Sequence, residues 1–397
     1  MNDSPYAYII IGKGLLGAAA TRHLSATQQR VALIGPDEPT DRAPHQGVFG
    51  SHYDEGRITR ALDPDRIWAL LAQRSIARYR ALEASSGIPF YYDVGHLMVA
   101  APDRPDHFIP HVQQVAAELD IPYETYTGTA LAERFPYLTF EPDSIALYQP
   151  HGAGHISPRA QVRAQASVAQ QQGASLIPET VKALRQTYDD IEVHTDEGHI
   201  YRAENVLLAT GGFSNAKALL PRPLALSVYA RTIVLMELDA AEVERLRYMP
   251  SIIYKPRDLA SRCYILPPIQ YPDGTYFLKI GGGYNDPTLS TLADLQDWFR
   301  SSGSDTSSRR LTEILYAVVR DLRPVTIHTD TCVTTNTNSG QVYAERLAGG
   351  RLGVLIGGNG SAAKSADEIG RLGALMMQHS EWNYDLAADH FKAQFTD

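Results

Sequence analysis

Several stretches of this chain carry residue types whose spacing could do chemistry. In Tyr8–Leu24 (YIIIGKGLLGAAATRHL), Gly12, Gly14 and Gly17 stand at GxGxxG spacing. Gly12 permits a tight turn, Gly14 lets the backbone approach a pyrophosphate, and Gly17 lets a helix pack close to its strand. The free N–H groups and dipole of that helix, beginning at Leu15 and Leu16, would face phosphate. The alternative is a glycine-rich turn in some other α/β unit. Ser51–Arg60 (SHYDEGRITR) is dense in polar and charged groups, and by itself reads as solvated surface. Lys279, in FLKIG, reads alone as a lysine on the exposed face of an edge strand. Cys332, in TCVTT, reads alone as a small buried hydrophobe. Leu352–Lys364 (LGVLIGGNGSAAK) reads as a strand, a glycine-rich turn and the start of a helix.

These residues need a frame. Tyr8–Ile11 and Val31–Ile34 are short apolar runs, as expected of buried parallel strands. An acidic residue that holds ribose hydroxyls is expected at the end of the second, but Gly35 stands there, followed by Pro36, Asp37 and Glu38. Asp37 is the candidate to reach back, and Lys13 could add positive charge near the pyrophosphate. Asp63-Pro64 predicts a helix N-cap and N1, with Ile67, Leu71, Tyr79 and Leu82 on one face and Gly87 as the stop. Short strands such as Gly95–Ala100 and aromatic-rich loops follow to Tyr148. Ser157-Pro158 caps a helix ending near Gly173. Strand-like pieces follow at Lys182–Tyr188, Ile191–Thr195 and His199–Arg202, and Asn205–Gly212 predicts a buried strand closing in Thr-Gly-Gly. Later strands are expected at Arg231–Leu238, Tyr264–Leu266 and Phe277–Gly281, and Ser301–Ser308 (SSGSDTSS) as a mobile loop.

Composition narrows the classes. The 397 residues, 44% hydrophobic and 20% charged, suit two globular domains. A net charge of -9 argues against nucleic acid and anionic membrane as partners. Two cysteines, Cys263 and Cys332, form no disulfide framework and fit a reducing compartment. The glycine motif stands so near Met1 that no signal peptide is expected, and no apolar run of about 18 residues suggests a membrane span. The expectation is a soluble, cytoplasmic protein. The 13 histidines show no metal-ligand spacing.

The glycine motif, the Ser-His…Arg-x-x-Arg segment, Cys332 and the Gly357…Lys364 stretch, in this order, resemble the monomeric sarcosine oxidase and N-methyltryptophan oxidase group of the D-amino-acid-oxidase-like flavoproteins. The resemblance implies an α/β fold, with a discontinuous Rossmann-like FAD domain from 1–87, 150–222 and 322–397. A second α+β domain with a mostly antiparallel sheet would come from 88–149 and 223–321. It implies FAD as cofactor and oxidation of a carboxylate-bearing, secondary or cyclic amine to an imine, with oxygen reduced to hydrogen peroxide. By the resemblance, Ser51, His52 and Arg57 lie against the flavin, while Arg60 and Lys364 clamp the substrate carboxylate; a guanidinium fork suits that task. Val181 would contact the adenine through its backbone, Ala209, Thr210 and Gly211 would line the cofactor, and so would Gly357, Gly358, Asn359 and Gly360. Cys332 would be the attachment point for the flavin 8α carbon. Lys279 would speed reaction with oxygen through a bound water, with Tyr53 and Arg57 as further candidate catalytic groups. Tyr264 is a candidate to flank the substrate. Two positions depart from the family pattern: Gly283 stands in place of a histidine and Thr334 in place of a tyrosine. A pocket for something other than sarcosine is therefore expected. Other readings are a dehydrogenase of the same fold, a biosynthetic tailoring oxidase and a non-catalytic flavin-binding protein. The substrate is a small molecule, and the chain is expected as a monomer or small homo-oligomer.

Overall fold

The computed structural model describes residues 4–396; residues 1–3 and 397, the outermost parts of the expected segments 1–87 and 322–397, lie outside them. The architecture is mixed α/β and rests on two large sheets. The first contains a parallel core of five strands, in the spatial order Ser175–Ile177, Val31–Ile34, Tyr6–Ile11, Ile200–Leu208 and Leu352–Ile356. The apolar runs 9–11, 31–34, 206–208 and 354–356 are buried because helices cover the sheet, as a parallel sheet requires, while Ser175–Ile177 is half-buried. Helices Leu15–Ser25, Arg66–Ser86, Pro158–Gln171 and Ala362–Gln378 pack together over it. All five strands point their C-terminal ends the same way, so the turns at Gly12, Gly35, Glu179–Val181, Ala209–Gly211 and Gly357 gather at one edge. Ligands of open α/β sheets bind at such an edge.

The second sheet has eight strands, in the order Ile327–Thr337, Leu226–Leu238, Tyr276–Gly281, Cys263–Gln270, Ser251–Lys255, His96–Ala100, Ile145–Gln149 and Glu124–Thr127. Its pairings are antiparallel except for the parallel contact of Ser251–Lys255 with His96–Ala100. The strand bearing Cys332 thus lies in this sheet, and the segment 322–397 divides between the two sheets. A third, three-stranded sheet sets Arg57–Thr59 and Tyr91–Tyr92 on either side of Gly154–Ile156. No helix of the described residues is long and apolar enough to cross a membrane.

Local differences from the sequence reading have local causes. The helix expected to be capped by Asp63 starts two residues later, because Asp65 accepts from the Ile67 and Trp68 N–H groups at 2.8 and 3.0 Å. Asp63 is left for another task. The stretch 301–308 is not a loop throughout: the Ser304 hydroxyl accepts from Ser307 N–H and caps helix Asp305–Val318. Its polar composition is that of an N-cap and first turn, and the buried face begins only at Leu311. The pieces at 199–202 and 205–212 join into one strand, Ile200–Leu208, with Glu204 and Asn205 in its middle.

Candidate active site

One cavity runs from the edge of the parallel sheet to the face of the antiparallel sheet. Gly12 and Gly14 open it. Gly12 has φ +113°, and a Cβ there would press on the Ala209 carbonyl group, 2.8 Å from its carbon. Gly14 is the N-cap of Leu15–Ser25, which has no side-chain cap, so the first N–H groups of that helix are left to the cavity that Leu15 and Leu16 line. Gly17 lies behind, where a side chain would collide with the Gly12 carbonyl; it sets helix-to-strand distance and does not line the cavity. Val181, Ala209, Thr210 and Gly211 line the same end. Asp37 does not: its carboxylate ion-pairs outward with Lys13 and is largely exposed. Gly35 and Pro36 form the wall where an acidic residue was expected.

Ser51, His52, Tyr53 and Arg57 line the middle. Burial, aided by Arg159, Arg57 and Lys13, pushes His52 down to about 3, so its ring is neutral. Burial pushes Tyr53 up to about 12. Arg57 donates to the Ser51 carbonyl at 2.9 Å and ion-pairs with Asp54. From the antiparallel sheet come Tyr264, Cys332 and Thr334; Cys332 is half-buried. Burial raises the Tyr264 phenol well above its ordinary value. The turn after Leu352–Ile356 brings in Gly357, Gly358 and Gly360, then the start of Ala362–Gln378, which also lacks a side-chain cap. Asn359 does not line the cavity; its amide oxygen accepts from Thr337 N–H at 2.9 Å and ties the turn to the cysteine strand.

Arg60 and Lys364 both line the cavity, and they share one acid. The Asp63 carboxylate accepts from Arg60 at 3.2 Å and from Lys364 Nζ at 2.8 Å through the same oxygen. Lys364 is 1% exposed, and burial lowers it to about 8 against the pull of Asp63. Two cations against one carboxylate leave a surplus positive charge, and the buried Arg60 Nε has no hydrogen-bond partner among the described residues. An incoming carboxylate fits this balance.

Lys279 is placed differently from the expectation. It is 1% exposed, so the edge-strand reading fails, yet it does not line the cavity. Its Nζ donates to the Gly56 carbonyl at 2.8 Å and ion-pairs with Asp54, which also accepts from the Tyr271 hydroxyl at 2.8 Å. Burial, with Arg57 nearby, pushes its ammonium well below the ordinary range, and the Asp54 carboxylate is its counter-charge. Sequence reasoning missed Asp54, Asp63 and Arg231, the last a cation that lines the cavity from strand Leu226–Leu238. A signal existed for two of them: Asp63-Pro-Asp65 offers two acids where one cap is needed, and Arg231 stands just ahead of the apolar run 233–236.

The family model for FAD dependent oxidoreductases of the DAO type matches residues 7–376. The chain belongs to that family. It is 31% identical over 211 residues to the monomeric sarcosine oxidase of Streptomyces avermitilis, covering 53% of this chain and 52% of that protein. It is 29% identical over 218 residues to the N-methyl-L-tryptophan oxidase of Yersinia pestis, covering 54% and 56%. The chain thus spans about half the length of the curated relatives it matches. Among solved structures, the open form of NikD, described as an unusual amino acid oxidase essential for nikkomycin biosynthesis, superimposes with a TM-score of 0.78. The match has 22% identity, covers 99% of this chain and 98% of NikD, and speaks to the fold. The residues present fit FAD. The Gly12 cradle would be filled by any Cβ, and two helices present uncapped N-termini where a pyrophosphate and an electron-rich ring edge would lie.

Proposed function

We propose that this DAO-family protein is an FAD-dependent amine or amino-acid oxidase. It converts the C–N bond of a carboxylate-bearing secondary or cyclic amine to an imine, with oxygen reduced to hydrogen peroxide. The observation that carries this reading is the convergence of Arg60 and Lys364, from opposite ends of the chain, on one cavity wall with an unbalanced positive charge. The sequence identity to oxidases of N-methylated amino acids supports the secondary amine.

The residues would hold the cofactor as follows: the N-terminus of Leu15–Ser25 with Gly12 and Gly14 at the pyrophosphate, Val181 at the adenosine end, and Gly357–Lys364 at the far end. FAD, when bound, supplies the two-electron redox chemistry, and the protein supplies placement and fixed charge. Arg60 and Lys364 bind the carboxylate and fix which C–H bond faces the reacting atoms. The low exposure of Lys364 and Asp63 keeps water from competing for the carboxylate's donors. The substrate amine must be unprotonated to give up electrons, and neutral His52 and Tyr53 place no added positive charge beside it. Cys332, half-buried on the cavity wall, is the proposed covalent attachment point. Colour staying with acid-precipitated protein, and leaving it in Cys332→Ser, checks this. A small amine and oxygen are the proposed partners, the cytoplasm the proposed location, and a monomer or small homo-oligomer the proposed state.

Peroxide release from N-methyl and cyclic amino acids, compared with their decarboxylated amines, tests the reading. Activity is expected only with the carboxylate present, and equal rates on both would overturn it. One observation favours a second reading. A fixed cation at the reacting atoms would favour electron transfer to oxygen, but Lys279 is off the cavity and paired with Asp54. With Arg57 left as the cation on the middle wall and itself paired with Asp54, that arrangement favours a dehydrogenase that uses another acceptor. Return of the yellow colour in air within seconds supports the oxidase, and return over minutes the dehydrogenase.

A further inference from the structure

Strand Leu226–Leu238 meets the cavity at Arg231, directly opposite Cys332 in the sheet register. Three features hold its guanidinium. Nε donates to the Thr334 hydroxyl at 2.9 Å, Nη1 ion-pairs with the buried Asp286, and the Tyr229 ring centroid lies 5.2 Å from Cζ. Gly283 makes the space: a Cβ there would fall 2.7 Å from the Arg231 Cζ and nearer still to Nη1. Gly283 and Thr334 are also the two positions where this sequence departs from the pattern it resembles, and both touch this one side chain. Asp286 does not line the cavity, so the counter-charge lies behind the guanidinium and not over it. Nη2 has no hydrogen-bond partner among the described residues, and the Arg231 side chain keeps 23% of its surface. A salt bridge serving only the fold would have no need of a glycine cleared beside it or an edge left open to the cavity.

We propose that Arg231 is a specificity-determining residue that receives a second carboxylate of the substrate, so that the preferred substrates are dicarboxylic secondary or cyclic amino acids. This rests on the reading that Arg60 and Lys364 take the first carboxylate. The Nη1/Nη2 edge of a guanidinium is planar and can meet both oxygens of a carboxylate. Its orientation is fixed in advance by Thr334 and Asp286, so little ordering is left for binding to supply. Beside the Arg57–Asp54 pair, the cavity then offers two separate positions for a carboxylate, each backed by a buried acid: Arg60 and Lys364 with Asp63, and Arg231 with Asp286.

The test uses the holoenzyme and ligands that cannot be oxidised at a C–N bond. A short series of thioether diacids of increasing arm length is titrated beside the matching thioether monoacids, with binding read by calorimetry and by perturbation of the visible spectrum. The best diacid is expected to bind about tenfold tighter than its monoacid, or more, the range of a charge-assisted contact. Arg231→Met should bring that ratio close to one. Gly283→Ala should do the same while leaving every charge in place, and it decides the matter if Arg231→Met fails to fold. Binding of monoacids with no diacid preference would overturn the role of Arg231 while sparing the Arg60–Lys364 reading. Failure of both ligand classes to bind would overturn the two together.

Discussion

At the scale of the residue, the candidate site sets two buried acids, Asp63 and Asp54, each between a nearby arginine and a lysine that lies far away in sequence. Lys364 meets Asp63 across 301 residues, and Lys279 meets Asp54 across 225. Such long-range pairs leave no periodic trace, so the sequence shows a spare acid at Asp63 but not that Lys364 is its partner, and shows nothing that ties Asp54 to Lys279. Lys364 is lowered to about 8 from a free value of 10.5. Only its charged form attracts a carboxylate, so affinity for carboxylate ligands should fall as pH rises through 8, and Lys364→Met should both weaken binding and flatten that fall. Titrations on either side of pH 8 check this. The stability term has its own sign. The folded value lies below the unfolded one, so burial of charged Lys364 disfavours folding below pH 8, and the penalty is relieved as pH rises from 8 to 10.5. Removing the shared acid tests the same balance. Asp63→Asn leaves Arg60 and Lys364 without their counter-ion, a change expected to cost about 3–5 kcal/mol. A carboxylate ligand should then raise the melting temperature more in this variant than in the parent. An equal or smaller rise would contradict the pairing.

At the scale of the element, the strand runs and glycine turns were legible because their causes are local. Val31–Ile34 is buried along its whole length, and Gly87 ends its helix with φ +70°. The errors were local too. Asp65 took the cap assigned to Asp63, and polar residues around Ser304 looked like loop because a helix N-cap and a loop draw on the same residue types. Other constraints show only when elements meet. Helix Ala362–Gln378 carries Lys364 into the site by lying against helix Leu15–Ser25 at Gly370, where a Cβ would come 2.6 Å from the Ala19 carbonyl carbon and the Ala20 nitrogen. Gly370→Ala should therefore push the helices apart, destabilising by about 1–3 kcal/mol. Urea unfolding should show a lower midpoint at unchanged slope. A carboxylate ligand should bind this variant more weakly, since its Lys364 helix is displaced. A midpoint equal to that of the parent would contradict the close packing.

At the scale of the whole molecule, a parallel sheet supplies glycine turns and helix N-termini, and an antiparallel sheet supplies Tyr264, Cys332, Thr334 and Arg231 to the same cavity. The parallel half was readable from one glycine motif and a few apolar runs. The antiparallel half was read less well, because a strand such as Ile327–Thr337 alternates buried and half-buried residues, and its sheet is chosen by its long pairing with Leu226–Leu238. The proposed chemistry belongs to the junction of the two sheets. The most direct measurement is therefore anaerobic. Purified protein loaded with FAD is mixed with a carboxylate-bearing secondary amine and, separately, with its decarboxylated counterpart, while the visible absorption band is followed. The protein should be yellow, with a band that bleaches with the amino acid, does so faster as pH rises through the amine's own titration, and hardly changes with the decarboxylated amine. A protein that binds no FAD, or whose band bleaches equally with both amines, would contradict the proposed chemistry.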